Sequence, residues 1–435
     1  MRITIIGAGY VGLVAAVCFA CGGHQVICLE KDEARCQMLS EGQCPILEQK
    51  LPEMLTRALS KHTISFTTQP KEAIPHGEMI FIAVGTPSRE DGQTDLGALF
   101  EAVEKIGKYA KNGAIVVIKS TVPLGTTENV RQLIQDTRPT DQSTIQVICN
   151  PEFLREGSAV DDFLCPDRIV AGTNDPNAGE QLFDLYHSIL KRTIPCVLTS
   201  PINAELIKCA SNAYLAVRLS YINELAGLCE RAGASIGQVT EAMGMDPRIG
   251  SEYLMAGVGY GGSCLPKDTR VLVQTARSAG APLTVLESAI TANRMVTVRL
   301  AKRVAERISQ GETIAIWGLS FKAGTEDVRN SPILALIKEL SINLNCSFQI
   351  YDPAGCEFAS CYPKEIQQKL FTTPEKALFG SSALIIGTAW PQFREIDLLA
   401  LPSTMKKRII FDFVNALDGK KARYAGFEYY ACGEG

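Results

Sequence analysis

Short apolar runs alternate with longer amphipathic segments over the first two hundred residues. The runs are rich in β-branched side chains and are bounded by turn residues, a pattern that predicts strands. The predicted strands are 3–7, 25–30, 63–67, 79–85, 114–120, 145–150, 168–172 and 193–198. Strands that are separated by helices in this way are typical of a mostly parallel sheet with helices on both faces. We therefore predict an α/β doubly wound domain over residues 1–200.

A long helical pattern begins after Asn203. Apolar residues recur at helical spacing over residues 204–233, and the pattern stops at Gly233. One continuous helix of that size would be roughly 40 Å long, which suits a spine between two lobes or a dimer interface. Because more helical sequence follows, we predict a central helical region for linkage or dimerisation over residues 201–305.

The strand pattern returns in the last third of the chain. The apolar runs 312–322, 346–353, 382–390 and 408–417 predict strands, and residues 331–340 predict a helix between the first two. These elements indicate a second, smaller α/β domain over residues 306–435. The predicted fold is therefore α/β, with two doubly wound domains joined by a long central helix.

A glycine-rich turn follows the first predicted strand, in TIIGAGYVGLVAA at residues 4–16. Gly7 permits a tight turn, Gly9 lets a pyrophosphate approach the backbone, and Gly12 lets the next helix pack closely on the strand. The phosphates would also meet unpaired N–H groups at the start of that helix. The pattern predicts a Rossmann-like dinucleotide site, and a purely structural glycine turn is the alternative. The residues predicted to surround the phosphates are Gly7, Gly9, Tyr10, Val11 and Gly12.

Glu30 closes the second predicted strand, about twenty residues beyond the glycines. A carboxylate at that position hydrogen-bonds a ribose 2′-hydroxyl and repels a 2′-phosphate. We therefore predict NAD rather than NADP as the cofactor. Arg35 lies nearby in the sequence and could accommodate a 2′-phosphate, which keeps NADP open as an alternative.

The segment GYGGSCLPKD, residues 259–268, places a cysteine between glycines and a Pro-Lys-Asp turn. The glycines allow close approach of a ligand, Pro266 suits the first turn of a helix, and a thiol at a helix N-terminus ionises readily. Lys267 would stabilise the thiolate further, and Asp268 would face the same site one turn after the cysteine. We therefore predict that Cys264 is a nucleophile. A glycine-rich structural loop with an incidental cysteine is the alternative.

A thiol in a chain that binds a nicotinamide cofactor has a specific use in oxidation. A thiolate adds to an aldehyde, the thiohemiacetal gives up a second hydride, and the resulting thioester is hydrolysed to a carboxylate. The glycine fingerprint and the cysteine loop together predict a dehydrogenase that removes four electrons. A plain two-electron dehydrogenase and a non-catalytic NAD-binding sensor are alternatives, because both would use the fingerprint without needing Cys264.

Composition and charge narrow the range of partners. The net charge of −4 gives no general attraction for nucleic acid or for an anionic membrane. No apolar run approaches about 18 uninterrupted residues, so we predict no membrane span. Residues 1–23 resemble a signal peptide, but their glycines favour a strand, a turn and a helix instead.

The fifteen cysteines are an odd number and are scattered along the chain. Most lie in apolar runs, where a thiol packs as a small hydrophobe, so we expect reduced thiols and a cytoplasmic location. Cys18 and Cys21 have the spacing of a redox pair, but they lie within the apolar pattern of the first helix, which favours packing. The four histidines show no metal-ligand spacing, so we predict no metal site.

Several long motifs make the chain similar to a known family. The segment GYGGSCLPKD resembles the active-site cysteine motif of the UDP-glucose/GDP-mannose dehydrogenase family, and further segments resemble that family's signatures in the same order. Because these motifs span most of the chain in register, the resemblance is highly specific. The further segments are 84–96, 119–127, 150–172, 204–216, 246–254 and 321–332.

The resemblance implies roles that spacing alone does not assign. In such enzymes Cys264 is the nucleophile, while Asp268 and Thr121 place or activate water. Lys208 and Asn212 lie four residues apart on the predicted long helix, so one face delivers an ammonium and an amide, and an ammonium suits a developing oxyanion. The implied catalytic residues are Cys264, Lys208, Asp268, Thr121, Glu152 and Asn212.

The resemblance also implies which residues contact the ligands. To the glycine loop, Glu30 and Arg35 it adds Thr86, Thr121, Glu156, Lys267 and Arg329 as cofactor-binding residues. The implied substrate-binding residues are Glu152, Phe153, Leu154, Arg155, Glu156, Lys208, Asn212, Arg248, Tyr253, Leu254, Met255, Ala256, Gly257, Gly261 and Lys322.

Arg248 resembles the arginine that reaches into the substrate site of a neighbouring subunit, so the implied active enzyme is at least a homodimer. The second α/β domain would hold the uridine end of the substrate, and the cleft between the domains would hold the chemistry.

Within the family, the segment DPRIGSEYL with the cysteine loop close behind it is more similar to the UDP-glucose branch than to the GDP-mannose branch. The resemblance therefore implies oxidation of UDP-glucose to UDP-glucuronate with two NAD⁺. GDP-mannose and UDP-N-acetyl-amino sugars are alternative substrates for the same mechanism. Tyr260 stands where the family often carries Phe, and Leu265 precedes the proline, but neither residue would touch a reacting group.

Overall fold

The computed structural model describes residues 1–89, 92–138 and 145–435, so two residues of the 84–96 motif, Glu90 and Asp91, lie outside the described residues. The chain divides into two compact units. The first contains Met1–Ser211 and Arg270–Gly280, and the second contains Asn212–Thr269 and Ala281–Gly435. The sequence predicts three domains, over residues 1–200, 201–305 and 306–435, whereas this division gives two units. The three predicted ranges therefore remain a prediction.

The first unit contains an eight-stranded sheet in which all eight predicted strands are present. Their order across the sheet is β3-β2-β1-β4-β5-β6-β7-β8, and neighbouring strands are parallel except β6 and β7, which are antiparallel. The mostly parallel sheet predicted from the sequence is therefore confirmed. The strands are β1 (Arg2–Ile6), β2 (Gln25–Leu29), β3 (Ile64–Thr67), β4 (Met79–Ile82), β5 (Ile115–Ile118), β6 (Gln146–Cys149), β7 (Ile169–Gly172) and β8 (Cys196–Thr199).

Helices cover both faces of this sheet, because its central strands are apolar on both sides. All four residues of β4 and all four of β5 are buried, as expected for strands between two helical layers. One core packs the sheet against α1, α3, α7 and α8, and another packs it against α5 and α6. The helices are α1 (Tyr10–Cys21), α2 (Glu33–Ser40), α3 (Leu51–Ser60), α4 (Pro70–Ala73), α5 (Gly97–Tyr109), α6 (Thr126–Thr137), α7 (Ala159–Leu164) and α8 (Pro176–His187).

The chain order of the strands reverses between β1 and β4. Strands β2 and β3 lie on one side of β1, while β4 begins the run that leads to β8 on the other side. In open α/β sheets this switch point opens a crevice at the carboxyl ends of the strands, where ligands bind. The loops that follow β1 and β4 are therefore the expected ligand loops of the first unit.

A long helix, α9 (Pro201–Ala232), follows β8 and confirms the helix predicted over residues 204–233. Three more helices follow: α10 (Ile236–Gly244), α11 (Leu265–Ser278) and α12 (Thr284–Ala305). The division into units falls inside α9 and inside α11. None of the helices formed by the described residues is long and apolar enough to cross a membrane.

The second unit contains a five-stranded sheet that is parallel throughout, in the order β10-β9-β11-β12-β13. Four of its strands match the predicted runs. The last strand was not predicted, because its four residues, EYYA, alternate too briefly to be distinguished from a loop. The elements are β9 (Thr313–Trp317), α13 (Pro332–Leu344), β10 (Ser347–Tyr351), α14 (Lys364–Gln367), α15 (Pro374–Leu378), β11 (Ala383–Ile386), β12 (Ile409–Asp412), α16 (Gly419–Tyr424) and β13 (Glu428–Ala431).

A buried carboxylate organises the carboxyl end of this second sheet. Asp352 follows β10 and is 1% exposed. Its Oδ2 accepts hydrogen bonds from the backbone N–H groups of Leu319 at 2.5 Å and Ser320 at 2.9 Å, and its Oδ1 accepts one from Ala354 at 2.9 Å. Since buried backbone N–H groups are costly without acceptors, this carboxylate holds the loop after β9 in place.

Replacement of Asp352 by alanine is expected to destabilise the second unit strongly. Three buried N–H groups would lose their acceptor, so we expect a loss of about 2–5 kcal/mol in the free energy of unfolding, measured by urea denaturation. Asp418→Ala is the matched control, because Asp418 is exposed and only caps α16, so its loss should cost about 1 kcal/mol. Equal losses in the two variants would contradict this account of Asp352.

Candidate active site

The glycine loop after β1 has the geometry of a dinucleotide-binding turn. Gly7 has φ of +98°, and a Cβ on it would lie 2.8 Å from the carbonyl oxygen of Ala83, which follows β4. A Cβ on Gly12 would overlap the carbonyl oxygen of Gly7, so both positions require glycine. A Cβ on Gly9 would meet nothing within 4 Å. Gly9 therefore leaves its backbone open to an external group, which is what a bound pyrophosphate requires.

The start of α1 and the end of β2 complete this site. Gly9 is the N-cap of α1 without a side-chain cap, so the N–H groups of Tyr10 and Val11 have no acceptor within the helix. Glu30 accepts a hydrogen bond from the N–H of Ala8 at 2.9 Å, and Arg35 donates to the carbonyl oxygen of Ala8 at 3.2 Å. The structure thus places donors, a carboxylate and a guanidinium around one loop, and this set fits the phosphates and a ribose of NAD.

Tyr10 connects the glycine loop to the segment after β6. Its hydroxyl donates to Glu48 and accepts from the N–H of Gly157, and Glu48 also accepts from the N–H of Val160 at 3.2 Å. Burial and the Glu48 carboxylate raise the pKa of Tyr10, so the hydroxyl keeps its proton and remains a donor. Glu48 is a residue that the sequence pattern did not identify. Glu156, a predicted cofactor residue, is half-buried in the same segment.

Two predicted cofactor residues meet at the ends of β4 and β5. The hydroxyl of Thr86 donates to the backbone carbonyl of Thr121 at 2.8 Å. The turn that follows is held by Glu205 on α9, which accepts from the N–H groups of Gly125 at 2.6 Å and Thr127 at 2.7 Å. Glu205 was not predicted either, because a carboxylate on a long helix gives no sequence signal for such a contact.

Lys208 and Glu152 form a buried ion pair in the first unit. The Nζ of Lys208 lies 2.8 Å from Oε1 of Glu152, and the two side chains are 4% and 6% exposed. Oε2 of Glu152 accepts from the N–H of Leu154 at 2.7 Å. Burial alone would raise the pKa of Glu152, but Lys208 and the Leu154 N–H outweigh it, so the pKa lies below its ordinary value. Glu152 is therefore a carboxylate that holds the Lys208 ammonium in place.

The ring of Phe153 lies beside two cations, Lys208 of this pair and Arg168. The Nζ of Lys208 lies 5.4 Å from the centroid of its ring, and the guanidinium carbon of Arg168 lies 3.7 Å from it. Arg155, by contrast, is exposed and forms an ion pair with Asp162, with 2.7 Å between its Nη2 and Oδ1 of the carboxylate. The segment 152–156 thus contributes an inward carboxylate and an aromatic face, while its arginine lies at the surface.

Lys119 is a buried cation that the sequence analysis did not single out. It follows β5, is 5% exposed, and donates from Nζ to Oδ1 of Asn150 at 3.0 Å. The same Asn150 oxygen accepts from the hydroxyl of Tyr186 at 2.7 Å. Burial lowers the pKa of Lys119 to about 8. Two signals were available in the sequence: its position directly after four apolar strand residues and its place at the start of the 119–127 motif.

The predicted nucleophile lies in the second unit, at the start of α11. Cys264 directly precedes the helix, its carbonyl accepts from the N–H of Asp268 at 2.9 Å, and its side chain is exposed. Asp268 is 1% exposed; its Oδ1 pairs with Lys267 at 2.7 Å and its Oδ2 accepts from Asn212 at 2.6 Å. The structure therefore brings the predicted residues Lys267 and Asn212 onto the buried carboxylate of Asp268. That carboxylate lies on α11, one helical turn after Cys264.

Two asparagines hold the glycine-rich loop that leads to the cysteine. Gly259 has φ of +100°, and Asn293 binds both the N–H and the carbonyl of Tyr260, at 2.9 and 3.1 Å. Asn330 donates to the carbonyl of Gly262 at 3.1 Å. Neither asparagine was predicted as a site residue, because both lie outside residues 259–268 and contact that segment through its backbone. Asn330 itself belongs to the 321–332 motif.

The segment 253–257 lies in the second unit and is partly fixed by Asn223. Tyr253 adopts φ of 60°, and Gly257 donates its N–H to Oδ1 of Asn223 at 2.9 Å. Leu254 is buried, whereas Met255 is 82% exposed. The segment thus turns the Leu254 side chain into the core and the Met255 side chain to the surface.

Two predicted arginines share a local arrangement. Arg248 is paired with Asp246 at 2.5 Å and Arg329 with Asp327 at 2.8 Å, in each case a carboxylate two residues earlier. Their side chains are 87% and 67% exposed. Lys322 extends from the loop after β9 with its Nζ 5.8 Å from the ring of Phe321.

The predicted site residues are shared by the two units. The glycine loop, Thr86, Thr121, the 152–156 segment and Lys208 belong to the first unit. The second unit contains Asn212, Arg248, Tyr253, Leu254, Met255, Ala256, Gly257, Gly261, Cys264, Lys267, Asp268, Lys322 and Arg329.

Comparison with known proteins identifies relatives along the whole chain. The chain is 40% identical over 439 residues to a UDP-glucose 6-dehydrogenase of Rhizobium meliloti, with 100% of this chain and 99% of that protein covered. It resembles the solved structure of a UDP-glucose dehydrogenase from Pyrobaculum islandicum, with a TM-score of 0.90, 34% identity, and coverage of 100% and 98% of the two chains. A UDP-D-ManNAc dehydrogenase from Pyrococcus horikoshii matches with a TM-score of 0.85, 26% identity and complete coverage of both chains.

Three family models match successive parts of the sequence. Residues 1–190 match an NAD binding domain, residues 202–295 a central domain, and residues 315–419 a UDP binding domain. All three are parts of one family, and together with the full-length relatives they account for nearly the entire chain. The protein, whose cofactor is NAD, therefore belongs to the UDP-glucose/GDP-mannose dehydrogenase family.

Proposed function

We propose that this enzyme is a UDP-glucose 6-dehydrogenase, which converts UDP-glucose, two NAD⁺ and water into UDP-glucuronate and two NADH. The observation that carries the proposal is the thiol of Cys264 at the start of α11, in a chain with the family's NAD and UDP binding domains. The name of the 40% identical relative from Rhizobium meliloti supports UDP-glucose as the substrate.

Cys264 is the proposed nucleophile. Bound NAD⁺ supplies the hydride acceptor for each of the two oxidations. The first removes a hydride from C6 of the sugar and a proton from its hydroxyl, leaving an aldehyde. The Cys264 thiolate adds to that aldehyde, and the resulting thiohemiacetal loses a second hydride from C6 and the proton of its hydroxyl to become a thioester. Hydrolysis breaks the carbon–sulfur bond, so the thiol is released and the carboxylate forms.

Lys208 is proposed to stabilise the oxyanion that develops in both oxidations. Its ammonium is buried and held by Glu152 at 2.8 Å, so it is oriented before the reaction begins. A preorganised donor in a site of low dielectric stabilises a developing negative charge far more than an exposed one. The low pKa of Glu152 keeps the pair ionised at neutral pH, which preserves this orientation.

Asp268 is proposed to act with Thr121 on the water that hydrolyses the thioester. Lys267 and Asn212 hold its two carboxylate oxygens at 2.7 and 2.6 Å, so the carboxylate has one defined orientation. The Asn212 side-chain amide, on α9, is thereby proposed to orient the Asp268 carboxylate. We further propose that the residues of the substrate-binding set contact the sugar nucleotide and that domain 306–435 holds the uridine.

Other sugar nucleotides are the second candidates. The relative from Pyrococcus horikoshii is a UDP-D-ManNAc dehydrogenase and is 26% identical, against 34% for the UDP-glucose dehydrogenase from Pyrobaculum islandicum. GDP-mannose is a further candidate because the family includes dehydrogenases for it. The purified protein should be mixed with NAD⁺ and each sugar nucleotide, and the NADH formed per sugar should be counted. Two NADH with UDP-glucose and fewer with the others is the expected result.

We also propose that the active enzyme is a homodimer or a higher homo-oligomer. Tyr214, Tyr221 and Leu228 recur every seven residues on α9 and are 62%, 53% and 61% exposed. A stripe of large apolar side chains at heptad spacing is typical of a helix that packs against another helix. Most cysteines in the described part of the chain are buried or half-buried, where thiols pack as small hydrophobes, which supports the expectation of reduced thiols and a cytoplasmic location.

Removal of the Cys264 thiol is expected to abolish acid formation. Without a sulfur to hold the aldehyde, Cys264→Ala should form UDP-glucuronate at least about 1,000-fold more slowly, measured by product chromatography alongside NADH absorbance. Cys165→Ala is the matched control, because it removes another exposed thiol and should retain the wild-type rate. A Cys264→Ala variant that still gives two NADH per sugar would falsify the covalent mechanism. A wild-type protein that gives no NADH with any sugar nucleotide would indicate an NAD sensor.

Loss of the Glu30 carboxylate is expected to weaken NAD⁺ binding and reduce discrimination against NADP⁺. A charged hydrogen bond to a ribose hydroxyl contributes about 1.5–3 kcal/mol, so Kd for NAD⁺ should rise about tenfold to a hundredfold in Glu30→Ala by calorimetry. Glu33→Ala, in the first turn of α2, is the control and should bind NAD⁺ normally. An unchanged ratio of the NAD⁺ and NADP⁺ affinities would contradict the role given to Glu30.

A charge in the exposed stripe of α9 is expected to dissociate the oligomer. Tyr221→Asp would place a carboxylate in the proposed apolar interface, and light scattering should report a lower molar mass than for the wild type. Ile342→Asp is the control, since Ile342 is 70% exposed on α13 and lies outside the stripe. If both variants keep the wild-type molar mass, or if the wild type is a monomer, α9 is not the interface.

A further inference from the structure

Glu205 is a buried carboxylate that belongs to α9 but binds the turn between β5 and α6. It is 2% exposed. Its Oε2 accepts from the N–H of Gly125 at 2.6 Å, and its Oε1 accepts from the N–H and the hydroxyl of Thr127 at 2.7 and 2.6 Å. Burial of a carboxylate is costly unless its oxygens receive such hydrogen bonds. Both oxygens of Glu205 therefore bind this one turn.

These hydrogen bonds take the place of a local cap at the start of α6. Gly125 is the N-cap of that helix, has φ of +86° and has no side chain that could cap it. In most helices a serine, threonine, aspartate or asparagine at the N-cap itself supplies the acceptor. Here the acceptor lies 80 residues further along the chain. A cap alone does not need so distant a residue, so the connection between α9 and this turn calls for an explanation.

The turn that Glu205 binds carries Thr121 and is held on two sides. On the side of β4, the hydroxyl of Thr86 donates to the carbonyl of Thr121 at 2.8 Å. The hydroxyl of Ser120 donates to the carbonyl of Val84, also after β4, at 2.7 Å. On the side of α6, the turn is held by Glu205. Thr121 lies between the two sides and is half-buried, so loss of Glu205 would release the turn on the side of α6 only.

Helix α9 carries another site residue one turn after Glu205. Lys208 follows Glu205 by three residues in the same helix and in the same unit. The Nζ of Lys208 is held by Glu152 at 2.8 Å, independently of the turn after β5. Since the helix backbone fixes the spacing of the two side chains, Glu205 relates the position of the turn to that of the ammonium. Without Glu205 the ammonium keeps its partner, whereas the turn loses a constraint.

We propose that Glu205 is a positioning residue for hydrolysis of the thioester, which holds the turn with Thr121 in a fixed place relative to Lys208. This inference rests on the proposed function, because it concerns the water assigned to Thr121. In that step the water oxygen adds to the thioester carbon and the carbon–sulfur bond breaks. One proton of the water goes to the sulfur, and the other is released with the carboxylate. Loss of Glu205 should therefore slow hydrolysis more than the two oxidations, in which Lys208 acts.

The test uses Glu205→Gln, which keeps the size of the side chain but has one acceptor oxygen instead of two, so its NH₂ group would face an N–H of the turn. Rapid mixing with saturating UDP-glucose and NAD⁺ should give a burst of two NADH per active site at the wild-type rate. The steady phase that follows should be about 10–100-fold slower than in the wild type, because a small displacement of a positioned group costs this much. Intact-mass measurement after acid quenching should find the sugar acid bound to Cys264.

The matched control is Asp175→Ala. Asp175 caps α8 in the same unit, where its side chain accepts from the N–H of Asn177 at 2.9 Å. Its replacement removes a helix-capping carboxylate without touching the turn after β5, so both kinetic phases should remain at the wild-type rates. A burst and a slow steady phase in this control would overturn the role of Glu205, because any lost cap would then have the same effect.

A double variant separates positioning from general destabilisation. Thr121→Val removes the hydroxyl and should itself slow the steady phase. Adding Glu205→Gln should slow that phase by no more than about twofold further, since a positioning residue has no effect once the group it positions is absent. Effects that multiply would overturn the proposal. If Glu205→Gln does not fold, Glu205→Asp takes its place, and failure of both to fold would show that Glu205 is structural and overturn the proposal as well.

The outcomes distinguish the inference from the function on which it rests. A wild-type protein that forms no UDP-glucuronate contradicts the proposed function. An active wild type, with a Glu205→Gln variant whose two phases are unchanged or equally slowed, contradicts only the role of Glu205. A Thr121→Val variant with the wild-type steady rate would also overturn that role, because Glu205 acts through Thr121.

Discussion

Both sheets depend on a carboxylate that follows the second strand of the sheet and binds the loop after the first. In the first unit Glu30 accepts from the N–H of Ala8, and in the second Asp352 accepts from those of Leu319 and Ser320. These loops turn sharply at the carboxyl ends of parallel strands, so their N–H groups have no partner in the sheet and need another acceptor. The carboxylate therefore fixes part of the loop backbone, and the groups that this backbone presents to a ligand are held with it.

The two loops share a geometry but differ at the position where a phosphate would approach. Both begin with a glycine of positive φ, +98° at Gly7 and +86° at Gly318. In the first loop the next glycine, Gly9, has open space where a side chain would lie, whereas Ser320 at the corresponding place is 1% exposed and its carbonyl accepts from Thr388. The second loop is thus closed by its own residues. This difference explains in physical terms why the first loop leaves room for a pyrophosphate while the second does not.

The sequence predicts those parts of the molecule that follow from local pattern and backbone geometry. The strands of the first sheet, α9 and the glycine turn have clear periodicity or require glycine, and all are present. The arrangement around Asp268 was also predictable in part, because a proline after Cys264 indicates a helix start and places Asp268 one turn later. Asn293 was not predictable, since it holds the cysteine loop through a contact between segments far apart in the chain. Lys119 stands at the start of the 119–127 motif, but its contact with Asn150 leaves no pattern in one sequence.

The buried charges around Lys208 cost stability and therefore call for a functional explanation. A protein that only needed a stable core would replace buried ions with apolar side chains, because desolvation of charge outweighs most of the attraction between buried partners. This chain instead retains Glu152, Lys208 and Lys119 in one region, with an excess of positive charge. An excess of that sign is unfavourable in the resting protein, and it is the sign that the oxyanion-stabilising role proposed for Lys208 would require. If Lys208 has the proposed role, the cost of burying these charges would be offset by stabilisation of the transition state, where a preorganised positive charge is most effective.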